Sequence, residues 1–222
     1  MTKRVLCLHG YAMNRDWFHE WLSPIQQALI GSAELIIPQA GIVAPEAEVR
    51  AMVDMFQVAM PEDKIGSGKN WCWYRATADK PPVYQFFDET LNSLAQFYKS
   101  DGPFDGVLGW SQGAVVAAIL AALQAQDTKY NFGLKWMVLC GGFLPGDEKV
   151  KKLFVEPLPY PSLHVVGQKE SEVMMRRCQR LHAAFQHAEW LDTPAGHVMP
   201  IRYPDYMLKI ADWMAAKCVE LS

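Results

Sequence analysis

The sequence predicts an α/β protein, a mostly parallel, doubly wound sheet of about six strands with helices on both faces, and three observations lead there. Six short runs are apolar almost throughout, as strands buried on both faces of a parallel sheet are. Segments with helical spacing lie between them. The two kinds alternate along 222 residues that are 50% hydrophobic and 20% charged, a size one such domain fills with a core.

In chain order, residues 4–8 read as the first strand, 17–30 as an amphipathic helix and 34–37 as the second strand. The rhythm then breaks over residues 38–82, too long for an ordinary connection and rich in aromatics at Trp71, Trp73 and Tyr74. Loops of this length in compact domains are usually lids or binding loops, so this one is expected to roof a site, with a short helix at about 47–59. Regularity returns with a helix over 84–99, a strand at 106–109 and a helix over 112–126. Strands at 135–140 and 163–167, a helix over 172–186, a strand at 188–191 and a final helix over 205–220 complete the pattern. One domain spanning 1–222, with the 38–82 insertion, is the expected organisation.

Composition narrows the function. Lys and Arg total 21 against 24 for Asp and Glu, so there is no basic stripe for phosphates, and nucleic-acid binding is not expected. No run is long enough to cross a bilayer and no signal peptide is apparent. The five cysteines are scattered, with no Cys-x-x-Cys pair, and read as reduced thiols of a cytoplasmic protein. The segment Gly66-Ser67-Gly68-Lys69-Asn70 faintly suggests a phosphate loop, but Asp63 and Asn70 stand where Gly and Ser or Thr are needed, so it reads as a turn.

The chemistry-bearing motif is Gly109-Trp110-Ser111-Gln112-Gly113, between a strand and a helix. A strand-to-helix turn this tight needs small flanking residues and projects the serine hydroxyl above the sheet, at the positive end of the helix dipole. Ser111 is therefore the expected nucleophile. A hydroxyl needs a positioned base, and of six histidines only His197 lies in a loop after the last strand. The acid that orients it should follow an intervening strand; Glu170 fits first, with Glu172 and Asp147 as alternatives. Donors for an oxyanion are expected from the backbone N–H of Gln112 and of Tyr11, in the His9-Gly10-Tyr11 loop that His9 braces. Asn14 could bond this loop or the substrate. Trp71, Trp73, Tyr74, Phe86 and Trp110, with Met199, suggest an apolar acyl pocket, and the substrate-binding set is taken as Trp110, Asn14, Trp73, Tyr74 and Met199. Neither metal nor cofactor is expected.

With these residues in place, the chain resembles the FSH-type serine hydrolase family, of the α/β-hydrolase superfamily, which includes small fungal esterases and thioesterases. The resemblance rests on Leu8-His9-Gly10-Tyr11 with Asn14, on Trp73-Tyr74, on the run from Gly102-Pro103-Phe104-Asp105-Gly106 to Gly113, and on Gly196-His197-Val198-Met199-Pro200. It implies a hydrolase fold with a minimal cap, carboxylesterase or thioesterase activity on a small-molecule ester or thioester, and a triad of Ser111, an acid and His197. It departs at the acid: the family pattern Gly-x-x-Asp-x-x-Val reads here Gly167-Gln168-Lys169-Glu170-Ser171-Glu172-Val173. A non-catalytic acyl-ligand binding protein on the same fold is the rival from another class, and Asp at position 111, which a dehalogenase or epoxide hydrolase would need, is absent.

Overall fold

The structure of the protein, a computed structural model, describes residues 2–56, 62–66, 68–126 and 129–221. Six strands form one sheet: β1 (Lys3–Leu8), β2 (Ala33–Ile36), β3 (Gly106–Trp110), β4 (Trp136–Cys140), β5 (Leu158–Gly167) and β6 (Phe185–Thr193). Their order is β6-β5-β4-β3-β1-β2 and every pairing is parallel. The longer helices that accompany them are α1 (Arg15–Ala28), α2 (Glu46–Phe56), α3 (Phe87–Asp101), α4 (Gln112–Ala125), α5 (Glu172–His182) and α6 (Pro204–Glu220), with a short helix at Glu148–Lys151.

Period-two alternation sorts the strand side chains between two cores. Val5 and Cys7 of β1, Leu108 of β3 and Val138 of β4 pack with Phe18, Leu22 and Ile25 of α1 and Ile210 and Met214 of α6. Leu6, Leu8, Val107 and Leu139 point the other way, onto α3, α4 and Leu181 of α5. Helix α4 is apolar on all sides because it is enclosed on all sides, and every residue from 112 to 122 is buried.

The boundaries that depart from expectation do so for tertiary reasons. Strand β5 begins at Leu158, through Pro159 and Pro161, because β4 pairs with it only from Ser162 onward; on that side the prolines have no ladder bond to lose. Strand β6 begins at Phe185, whose ring is buried in the same core as Leu158. Helix α5 therefore ends at His182, short of the expected 186, and His187 lies in a strand. Residues 84–86 are not helical: Tyr84–Gln85 pairs with Arg75–Ala76 and Phe86 is left-handed at φ 62°. The loop helix runs Glu46–Phe56, and the expected continuation to 59 lies outside the described residues, as does Ser67 of the 66–70 turn. In that turn Asn70 is buried and donates to the carbonyls of Ala12 and Lys64. Among the described residues, no helix is long and apolar enough to cross a membrane.

Two imidazoles are enclosed in this fold. Burial lowers His9 to about 4, and burial together with neighbouring His182 lowers His164 to about 3. Unfolded histidine titrates near 6.5, so below that pH the unfolded chain takes up protons that the folded chain refuses. Their contribution to stability is full above about pH 6.5 and is lost as pH falls, on the order of 1.4 kcal/mol per pH unit for each group until the native imidazoles protonate. Urea midpoints measured from about pH 7 to about pH 5 should show this slope, and His164→Gln should reduce it. An unchanged slope in that variant contradicts the assignment.

Candidate active site

Strand β1 has β2 on one side and β3 on the other, so the chain leaves β1 toward α1 on one face and leaves β3 toward α4 on the opposite face. Such a switch of direction opens a crevice at the carboxyl ends of the two strands. The β1–β3 register pairs Leu8 with Gly109, which sets His9-Gly10-Tyr11 beside Trp110-Ser111-Gln112. The approach is close: a Cβ on Gly113 would lie 2.5 Å from the Leu8 carbonyl carbon, and one on Gly10 would lie 2.6 Å from the Trp110 indole. Ser111 itself has φ 49° and ψ −113°, a strained conformation for a residue with a side chain, held by its N–H donating to the Cys140 carbonyl at 2.8 Å.

His197 and Glu170 reach this point from the far side of the sheet. Strand β6 stands three strand spacings, about 14 Å, from β3, and the loop after β6 folds back across that distance. It travels with the loop after β5: Gln168 N–H donates to the Thr193 carbonyl at 2.8 Å and Lys169 N–H to the Ala195 carbonyl at 2.9 Å. These bonds hold Glu170 and His197 in one rigid unit. Ser111 Oγ lies 2.9 Å from His197 Nε2, and His197 Nδ1 lies 2.6 Å from Glu170 Oε1. The Glu170 side chain is 4% exposed and that of His197 is 14% exposed. With the proton on Nδ1, Nε2 is free to accept from the hydroxyl, so the arrangement can draw a proton from Ser111 and spread the resulting charge onto a carboxylate. The other two acids are engaged elsewhere. Glu172 is exposed and pairs with Arg176 at 3.1 Å. Asp147 accepts from the N–H groups of Lys149, Val150 and Tyr84, capping a short helix.

The loop after β1 is fixed from several directions. His9, kept neutral by burial, lies with Nδ1 2.8 Å from the Gly10 carbonyl and accepts the Ala40 N–H at Nε2, 3.2 Å away. The His9 carbonyl accepts the Trp73 indole N–H at 2.7 Å. Gln112 ties the same roof segment to the turn: its Oε1 accepts from Trp73 N–H and its Nε2 donates to the Tyr74 carbonyl, each at 2.8 Å. The Tyr11 hydroxyl donates to Glu48 of α2, which pairs with Arg75. As the first residue of α4, Gln112 has a backbone N–H with no intrahelical acceptor. Removing the Gln112 carboxamide would leave two buried backbone groups unpaired. Gln112→Met should therefore cost roughly 2–4 kcal/mol in urea unfolding, and a loss below about 0.5 kcal/mol contradicts the clamp.

A cavity of about 750 Å³ opens beside Ser111 and His197. Tyr11, Tyr74, Trp110 and Gln112 line it, together with Met13, Trp17, Trp21, Met52, Pro82, Phe143, Met174, Arg177 and Val198. The 38–82 segment thus supplies part of its wall, from Met52 to Pro82. Three of the expected substrate contacts lie outside this lining. Asn14 caps α1, accepting from Trp17 N–H at 2.8 Å and donating to the Lys69 carbonyl at 2.9 Å, and both ends of its amide are occupied away from the cavity. Trp73, part of the roof segment, is buried and its indole is bonded to the His9 carbonyl. Met199 is buried against the α1 and α6 core. Phe86 and Trp71 are likewise absent from the lining. Sequence reasoning missed Trp17 and Trp21, an i, i+4 pair on α1 that reads as an ordinary helix face, and Met174 and Arg177, an i, i+3 pair one turn beyond the acid loop. The Trp110 ring lies 5.1 Å from the His197 ring and 6.4 Å from that of Trp21.

This architecture has known counterparts. The Arabidopsis thaliana SOBER1 crystal structure is similar at TM-score 0.60, with 14% identity over 98% of this chain and 99% of that one. The Bacillus cereus carboxylesterase is similar at TM-score 0.59, with 17% identity over 98% and 89%. The six-stranded parallel sheet and its helices form an α/β-hydrolase fold. In sequence, the Homo sapiens esterase OVCA2 is 32% identical over 224 residues, covering 96% of both chains. The model of the family described as serine hydrolase (FSH1) matches residues 1–206. Built on that fold, with the match running from the first strand through the Ser111 turn and the His197 loop, the chain belongs to the FSH1 family of serine hydrolases.

Proposed function

We propose that the protein hydrolyses carboxylic esters or thioesters through an acyl-enzyme on Ser111. The observation that carries this reading is the continuous chain from Ser111 Oγ to His197 Nε2, 2.9 Å, and from His197 Nδ1 to Glu170 Oε1, 2.6 Å. Ser111 Oγ bonds to the acyl carbon as its proton passes to His197 Nε2, and the carbonyl π electrons move to the oxygen. The N–H groups of Gln112 and Tyr11 receive that oxyanion. Collapse of the tetrahedral intermediate breaks the bond to the leaving oxygen or sulfur, which takes the proton from His197. Water then attacks the acyl-enzyme by the same proton relay and frees the carboxylic acid and Ser111. Glu170 stabilises the imidazolium of each step and does not itself take the proton. No metal or cofactor enters this scheme.

The apolar wall formed by Trp17, Trp21, Trp110, Met52 and Met174 suits an acyl chain. The five cysteines, all buried and none in a disulfide, suit a reducing cytoplasmic setting. A series of acyl esters and thioesters of increasing chain length is expected to show kcat/KM rising until the chain fills the cavity. Binding of acyl compounds without turnover would instead favour the rival reading, an acyl-ligand binding protein.

A further inference from the structure

The cavity beside Ser111 is mostly apolar, yet three charged residues, Asp79, Lys80 and Arg177, also line it. Asp79 and Lys80 are exposed on the roof segment and solvated. Arg177, on α5, is half-buried. Its guanidinium lies 4.2 Å over the Phe143 ring and donates one bond to the Leu144 carbonyl at 3.1 Å. The Leu144 N–H answers by donating to the Arg177 carbonyl at 3.1 Å. Stacking and that single bond hold the plane of the guanidinium in place while leaving most of its five N–H donors uncommitted.

Among the described residues no carboxylate pairs with Arg177. The acids closest in sequence are used elsewhere, Glu170 on His197 and Glu172 on Arg176. A cation with no carboxylate partner in an apolar wall loses hydration when a ligand expels water, a loss that the Phe143 ring and one carbonyl offset in part and an anionic ligand group offsets most fully. We infer that Arg177 is a specificity residue and that the preferred ester or thioester carries an anionic group, carboxylate or phosphate, that pairs with it. The inference rests on the proposed chemistry at Ser111 and names the substrate class of that site. The anion can belong to the acyl part, as in a half-ester of a dicarboxylic acid, or to the leaving group, as in a phosphorylated thiol.

Two substrate pairs, each differing by one charged group, separate these sources. One is the mono-4-methylumbelliferyl ester of suberic acid against its methyl-capped form. The other is octanoyl-4′-phosphopantetheine against octanoyl-pantetheine. The wild-type enzyme should favour the charged member of one pair by roughly 10-fold or more in kcat/KM, since a desolvated charge-assisted pair discriminates at that level. Arg177→Gln should erase the preference, with kcat/KM falling roughly 10-fold further for the charged member than for the neutral one, and Arg177→Lys should retain part of it. Absence of charge preference in both pairs overturns the inference. So does an equal loss on charged and neutral members in Arg177→Gln, the signature of a residue that merely braces Phe143 and Leu144. Should that variant fail to fold, competition in the wild type serves: suberate should inhibit neutral-ester hydrolysis more strongly than octanamide, or phosphopantetheine more strongly than pantetheine, and equal inhibition in both comparisons overturns the inference. Failure of the Ser111 reading looks different, because neutral-ester hydrolysis would then be absent or survive Ser111→Ala.

Discussion

Replacing Ser111 with alanine is expected to lower kcat for short p-nitrophenyl esters on the order of 10⁶-fold, with the fold intact. The size follows from the geometry. Ser111 supplies the nucleophilic oxygen of the acylation step, and without it no acyl-enzyme forms for His197 Nε2, 2.9 Å away, to serve. Residues that act as one unit fail as one unit, so His197→Ala should cost about as much, and the double variant little more. Because alanine keeps the Cβ held at φ 49° and ψ −113° and gives up only the hydroxyl bonded to His197, the variant should stay close to the wild type in stability. A variant that retains most of its activity contradicts the mechanism at its first step.

Glu170→Gln is expected to lower kcat by roughly 10³- to 10⁴-fold with KM little changed. The amide can still meet His197 Nδ1, yet it cannot stabilise the imidazolium, and it can turn its NH₂ toward the ring and favour the wrong tautomer. The comparison with the other two acids makes the test specific. Glu172→Gln breaks only an exposed pair with Arg176 and should leave kcat within about threefold. Asp147→Asn weakens a helix cap and the anchor of Tyr84, so its effect should fall on stability more than on turnover. Equal losses in all three variants, or a larger loss in Glu172→Gln than in Glu170→Gln, contradict the assignment of the acid.

The inner strands were legible because strands buried on both faces are nearly uninterrupted apolar runs, told from the equally apolar α4 by their shorter length, whereas the edge strands β2 and β6 carry exposed residues such as Glu34 and His187. Strand ends were less legible. Pro159 and Pro161 argue locally against a strand, and only the sheet order shows that β4 does not pair with that part of β5. Ser111 and His197 could be read from local context, the first from a strand-to-helix turn and the second from its place after the last strand. Glu170 was a choice among three acids, since the meeting of its loop with the His197 loop depends on bonds between residues 168–169 and 193–195 that no motif encodes. The pocket was the hardest part. Trp73 and Met199 are chemically suited to an acyl chain but are spent on structure, while Arg177 looks in sequence like any other charge on an amphipathic helix. Which face of a helix meets a cavity is settled by packing, and packing is not local information.

The central claim is that Ser111, activated by His197 against Glu170, forms the covalent intermediate, and labelling with a fluorophosphonate followed by peptide mass spectrometry tests it most directly. The wild-type protein should carry one stoichiometric adduct on the peptide containing Ser111, with ester hydrolysis lost in proportion. Ser111→Ala should carry none, and Glu170→Gln should label far more slowly. An adduct on another residue, or complete labelling that leaves ester hydrolysis untouched, would contradict the account.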